Sequence, residues 1–295
     1  MKKKRYFGRA AMFLLCAFFA VAFLLPTVLT ITNSFMSESE INANYGMVFS
    51  TTTGGYVSEK VNLKFIPDKV TLSQYITGLV KSPEYLLKFW NSVILVVPIV
   101  IFQVAIASVA AYSFTRWRGK IRSGIFFFYV ILMLMPYQVT LVPNYLVSDW
   151  LGILNTRWSI IFPGMFAPFS VFLLTKFMRR IPYSLIEAAK VDGATRMQII
   201  WHITIPSLLP TYFVIVMLNL ANFLSNGMEQ YFVFQNAFNQ DYIEVLDLYV
   251  YNMSVSGTGM YPLSTAISIL KSLVSVVLLF VTNTVSKLVR GEGFI

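Results

Sequence analysis

Side chains that could act as nucleophile, base or metal ligand are sparse, and their spacing excludes most such chemistry. The single histidine, His202, has no acidic or cysteine companions and makes no metal site. The single cysteine, Cys16, lies in an apolar run and permits neither an intramolecular disulfide nor a CxxC site. There is no HExxH and no G-x-S-x-G. The only Gly-Lys pair, Gly119-Lys120, has Phe114 where a phosphate loop needs its first glycine, so this chain binds no nucleotide in that way. An intramembrane enzyme would need a reactive set that the sequence lacks.

The polar residues offer hydrogen bonding and helix capping instead. In the stretch 181–206, Ser184 and Glu187 have the spacing of one capping box, and Thr195 and Gln198 that of a second. Gly193 fits the left-handed position that ends a helix, and Pro206 closes the stretch. Two short helices with a break are predicted. Further on, Asn219, Asn222, Asn226, Glu229 and Gln230 recur at spacings of three or four with Ser225 adjacent, forming one polar stripe. Amides both donate and accept, as the hydroxyls of a sugar require; equally, they serve as packing glue between helices. Gln138, Thr140 and Asn144 have the same two readings. Lys271 lies about ten residues into an apolar run, where a lysine costs roughly 2.5–3.5 kcal/mol. It must face a water-filled path, where an anionic sugar would be a natural partner, or pair with a carbonyl or acid.

These residues are held by helices that require lipid. The 295 residues are 57% hydrophobic and 12% charged, with a mean hydropathy of +0.67, too apolar for a water-soluble domain. Six runs are long enough to span: 10–31, 90–111, 124–146, 158–178, 207–227 and 262–286. The first is too long for a signal peptide and reads as a retained spanning helix. With both termini cytoplasmic, the inner segments hold 16 of the 23 basic residues against three acids, and the outer segments six basic residues and ten acids. The net charge of +10 is therefore a topology signal rather than a nucleic-acid footprint. Prolines 26, 98, 136, 143, 163 and 168 fall inside predicted spans and imply kinks. Two outer segments are long. Residues 33–88 include a hairpin turn at 51–55 between β-prone pieces, 47–49 and 56–61. Residues 228–261 carry Ile243, Leu246, Val250 and Met253 at helical spacing, and a glycine-rich tip at 256–259.

The series Glu187-Ala188-Ala189, then Gly193, then Ile203-x-Ile205-Pro206 resembles the EAA loop of binding-protein-dependent ABC importer permeases, departing only in Ile205 for the usual Leu. From about Phe89 onward the chain also resembles the carbohydrate-uptake, MalG-type branch. The segments that carry this are 89–92 (Phe-Trp-Asn-Ser), 111–116, 135–143 and 151–156. The resemblance implies an all-α integral membrane protein with the type I ABC importer permease fold, a single permease domain in the bacterial cell membrane. It implies that Glu187, Ala188, Ala189, Asp192 and Gly193 form a coupling helix that docks on an ATPase. Gln138, Asn144, Asn219, Asn222, Asn226 and Lys271 would line the path of an oligosaccharide. It further implies a second permease subunit, two ATPase subunits binding ATP and Mg, an extracytoplasmic solute-binding protein that the 256–259 tip touches, and no cofactor in this chain. A permease for another solute, or a passive channel, has the same polar faces but the channel has no use for an ATPase-docking loop.

Overall fold

The computed structural model describes residues 2–45, 62–81, 83–117, 119–221, 228–255 and 261–290. The hairpin expected around 51–55, the tip at 256–259, Asn222, Ser225 and Asn226 lie outside them. Among the described residues all regular structure is helical. Five helices are long and apolar enough to cross a membrane: Met12–Ser34, Pro83–Arg116, Trp158–Met178, Arg196–Ala221 and Tyr261–Val289. A bent pair, Ile121–Leu134 and Tyr137–Trp150, is apolar enough to make a sixth crossing as a broken span or to form a re-entrant loop.

The chain divides into two units. The first comprises 1–86 and 249–272 and begins with α1 (Lys2–Ser34). Phe13 and Phe23 on α1 are 74% and 79% exposed, and from Met12 to Leu25 the helix is apolar all round, as suits a lipid-facing span. A turn after it, α2 (Glu38–Tyr45) buries Ile41 and Tyr45 with Met36. Lys64 pairs with Glu40 at 3.1 Å and with Asp68, and Asp68 N donates to Glu40 Oε1 at 2.7 Å. The bond to Asp68 is the main cause that raises the Lys64 pKa above its usual value. Tyr75, in α3 (Ser73–Ile76), donates to Ser34 Oγ at 2.7 Å and so ties this segment to the end of α1.

The second unit comprises 87–248 and 273–295. Its core joins α4 (Pro83–Arg116), α5 (Lys120–Leu134), α8 (Pro168–Met178) and α11 (Ile205–Ala221). Ala107, Ala111 and Phe114 of α4 pack with Val171, Leu174 and Met178 of α8 and with Leu208 and Ile215 of α11. Small residues on α4 allow this close approach, as is usual where lipid gives helices no hydrophobic drive to associate.

Two of the expected spans are not continuous. The run 124–146 breaks at Met135-Pro136, and α5 and α6 (Tyr137–Trp150) diverge by 106°. Met135 has φ −71° and ψ 132°, the extended conformation that a following proline imposes. Likewise α7 (Trp158–Gly164) ends before α8, with Ala167 extended at φ −109° and ψ 102° ahead of Pro168. The surface helix expected over 243–253 is also split, into α13 (Gln240–Ile243) and α14 (Leu246–Val255), with Glu244 extended at ψ 110°.

That extended turn is anchored on α4. Lys88 Nζ lies 2.7 Å from Glu244 Oε2, both nearly buried. Asn91 Nδ2 donates to Asp241 O at 2.8 Å, and Leu246 N donates to Ser92 Oγ at 3.2 Å. Asn239 Nδ2 reaches Leu154 O, and Asn236 Nδ2 reaches Asn155 Oδ1. The segments 89–92 and 151–156 thus share a task, which is to hold 236–246. Lys88→Met removes a buried counter-charge from Glu244 and should destabilise the protein by about 3–5 kcal/mol, whereas Lys88→Met with Glu244→Leu should recover most of that loss. Melting curves of the two variants in detergent check this, and equal losses would contradict it.

Candidate functional site

Two places in the second unit combine exposed or cavity-lining groups with unusual backbone. The first is the 181–206 stretch. After Pro182, α9 (Tyr183–Val191) ends at Asp192, and Gly193 takes φ +81°, a conformation glycine adopts without strain. Ala194 N donates back to Ala189 O at 2.9 Å, closing the helix end. Ser184 and Glu187 do not form the first capping box. Pro182 occupies the N-cap, which leaves Ser184 inside the first turn, where its hydroxyl cannot cap. The second box does form: Thr195 N donates to Gln198 Oε1 at 2.8 Å, and Gln198 N to Thr195 Oγ1 at 3.4 Å.

The second short helix does not stop before the fifth span. Here α10 (Arg196–Ile199) passes through a π turn, Ile200–Thr204, directly into α11. Pro206 cannot donate a backbone hydrogen bond, and the wider turn absorbs that gap. Ser207 Oγ donates to Ile203 O, one turn back, at 2.6 Å. Glu187, Ala188, Asp192 and Gly193 are exposed and Ala189 is half-buried. Val191 is 87% exposed, and Met197 and Trp201 are exposed beside it. A groove of about 340 Å³ between α9 and α10 is lined by Ala189, Asp192, Gly193, Gln198 and His202. His202 is exposed, with Nδ1 3.0 Å from Gln198 O. An outward knuckle of this kind, mixing exposed apolar and charged side chains and continuous with α11, offers a surface that a partner could grip.

The second place lies where the two proline breaks meet. A cavity of about 630 Å³ is lined by Met135 and Tyr137 at one break and by Met165, Phe166 and Ala167 at the other. Irregular backbone at membrane depth is tolerated where it lines a cavity or is buried in protein. Thr140 and Asn144 line this cavity, as does Gln230. Gln230 is buried and accepts a hydrogen bond from the Tyr137 hydroxyl, while its Nε2 has no partner. Gln103 also lines it and is buried, donating from Nε2 to Ser170 Oγ at 2.6 Å. A smaller cavity of about 160 Å³ on the other side of Gln103 contains Asn219, whose Nδ2 donates to Ile215 O at 2.8 Å.

The structure therefore brings Asn144 and Gln230 to one cavity and Asn219 to a neighbouring one. Gln138 is exposed and outside both, within 3.4 Å of Glu229. Lys271 is half-buried in the other unit. Gln103, an amide within the apolar run 90–111, was not singled out from sequence.

Residues 103–291 match the family described as binding-protein-dependent transport system inner membrane component, and the chain belongs to that family. It is a multi-pass membrane protein. The chain is 38% identical over 107 residues to Protein LplB of Bacillus subtilis (strain 168), covering 36% of this chain and 33% of that one. It is 32% identical over 142 residues to the lactose transport system permease protein LacG of Rhizobium radiobacter, covering 47% and 52%. The matches thus span a third to a half of these curated relatives. A longer match, 25% over 210 residues covering 71% and 70%, is to the arabinooligosaccharides transport system permease protein AraQ of Halalkalibacterium halodurans. Among solved structures, a chain of a bacterial ABC transporter involved in the import of the acidic polysaccharide alginate superposes with a TM-score of 0.71 at 20% identity, covering 97% of each chain, which shows a common fold.

The paired breaks depend on close packing at Gly164, where an added Cβ would lie 3.1 Å from Ile99 of α4. Gly164→Val should push α7 off α4 and cost about 1–3 kcal/mol. A melting temperature in detergent within error of the parent would contradict that packing.

Proposed function

We propose that this chain is one membrane subunit of an ATP-driven importer, with 183–193 acting as the lever that an ATPase moves. The observation that carries this is the exposed knuckle of α9, Gly193 and α10, joined without interruption to α11. In this reading both termini face the cytoplasm, ATP and Mg are held by a pair of separate ATPase subunits, and a second permease completes the path. An extracytoplasmic binding protein delivers the cargo. A structure related to this chain, a bacterial alginate transporter, was solved in complex with a periplasmic protein carrying an alginate pentasaccharide, which supports such an assembly. Glu187→Ala and Gly193→Pro should leave the subunit inserted yet weaken ATPase recruitment or abolish substrate-stimulated hydrolysis. Normal recruitment and stimulation in both variants would defeat the lever.

The cargo that best suits the amides and aromatics is an oligosaccharide. The names of LacG and AraQ, which refer to lactose and arabinooligosaccharides, support it. An acidic sugar is supported by the alginate importers of like fold and by a lysine at mid-span. Lys271→Met should raise the apparent KM for an acidic oligosaccharide with assembly and basal hydrolysis intact. Lower yield or melting temperature with unchanged KM would assign Lys271 to packing instead.

A further inference from the structure

The basic residues at one end of the second unit are more than a topology signal, because of how three of them are seated. Arg122 lies near the start of α5, and Lys176 and Arg179 lie at the end of α8. Between these helices Phe126 and Phe172 stack, with ring centres 6.1 Å apart and planes 16° from parallel. The Arg179 guanidinium sits 5.1 Å from the Phe126 centre, and Lys176 Nζ sits 5.4 Å from that of Phe172. Arg122 is one helical turn from Phe126; its Nη1 donates to Trp117 O at 2.9 Å, and its Nε is buried with no hydrogen-bond partner.

Two cations thus sit on one ring pair with Arg122 one helical turn from Phe126, and the sequence places no acid beside these three. No Asp or Glu occurs between Glu84 and Asp149, or between Asp149 and Glu187. Among the described residues, none of the three has a carboxylate within 4.0 Å. Aromatic faces hold the charges in place but leave the outward donors of Lys176 and Arg179, both exposed, available to an anion. Arginine forks match phosphate oxygens, and a buried donor without an acceptor, such as Arg122 Nε, is costly to leave so. The site lies at the end of two membrane-crossing helices, where a lipid headgroup is the phosphate at high local concentration.

We propose that Lys176 and Arg179, seated on Phe172 and Phe126, together with Arg122 bind the phosphate of an anionic phospholipid. The inference does not depend on the cargo. Its test uses the full chain in its transport complex, reconstituted in bilayer discs of phosphatidylcholine with or without phosphatidylglycerol and analysed by lipid retention after detergent exchange. Wild type should retain phosphatidylglycerol in preference to phosphatidylcholine. The triple variant Arg122→Gln, Lys176→Gln, Arg179→Gln should retain it about a hundredfold more weakly, from about fivefold per charge. Arg179→Gln alone, at an exposed position, should weaken retention about fivefold and decides the matter if the triple variant does not accumulate. Arg179→Lys should fall between the two. Unchanged retention in Arg179→Gln, or no preference between the two lipids in wild type, overturns the proposal. Displacement of the lipid by millimolar inorganic phosphate would assign the site to free phosphate and overturn it too, as would retention that appears only after the ATPase subunits are stripped away, which would mark a protein contact.

Discussion

The constraint on which this structure rests is that a bilayer offers its backbone no water. Every carbonyl and amide at depth must find a partner within the protein, and proline removes one donor wherever it stands. The chain meets this in two ways. Within helices, hydroxyls cover nearby carbonyls, as Thr30 does at Pro26 O and Ser207 at Ile203 O. Where Pro136 and Pro168 end helices outright, the two breaks are placed together, and the opened backbone faces a common cavity instead of lipid. The cavity is thus a consequence of where prolines fall, and its polar lining of Gln103, Asn144 and Gln230 follows from what such a space demands.

Much of this was legible in the residue pattern. Length and hydropathy located the five long apolar helices, because a run of about 20 apolar residues has few other uses. Gly193 was legible because a positive φ selects glycine so strongly, and the Thr195–Gln198 box because its two bonds are local. Local chemistry misled at Ser184, since Pro182 one position before the helix takes the place that a serine would need. Hydropathy could not tell a straight span from one bent by 106°, because Pro136 is apolar on any scale and its effect is geometric. Gln103 escaped for the opposite reason: its partner, Ser170, is 67 residues away, and no short-range pattern announces such a bond.

The cluster around Glu244 shows why scattered short motifs can share a cause. Asn91, Ser92, Leu154 and Asn155 come from two places in sequence, and each bonds the 236–246 segment. A buried ion pair, Lys88 with Glu244, lies among them. Such a pair adds little net stability against an apolar replacement, but it specifies one arrangement and penalises others. The 236–246 segment is the part held by these bonds.

The π turn at Ile200–Thr204 has a meaning that is angular. A π turn amounts to one residue inserted into an α-helix, and each residue advances the helix by about 100°. Everything beyond it on α11, Asn219 included, is therefore phased by that one extra step relative to α10 and the knuckle below. The continuous helix from Arg196 fixes this phase, so the direction in which Asn219 faces is set by the one added residue as much as by the helix axis.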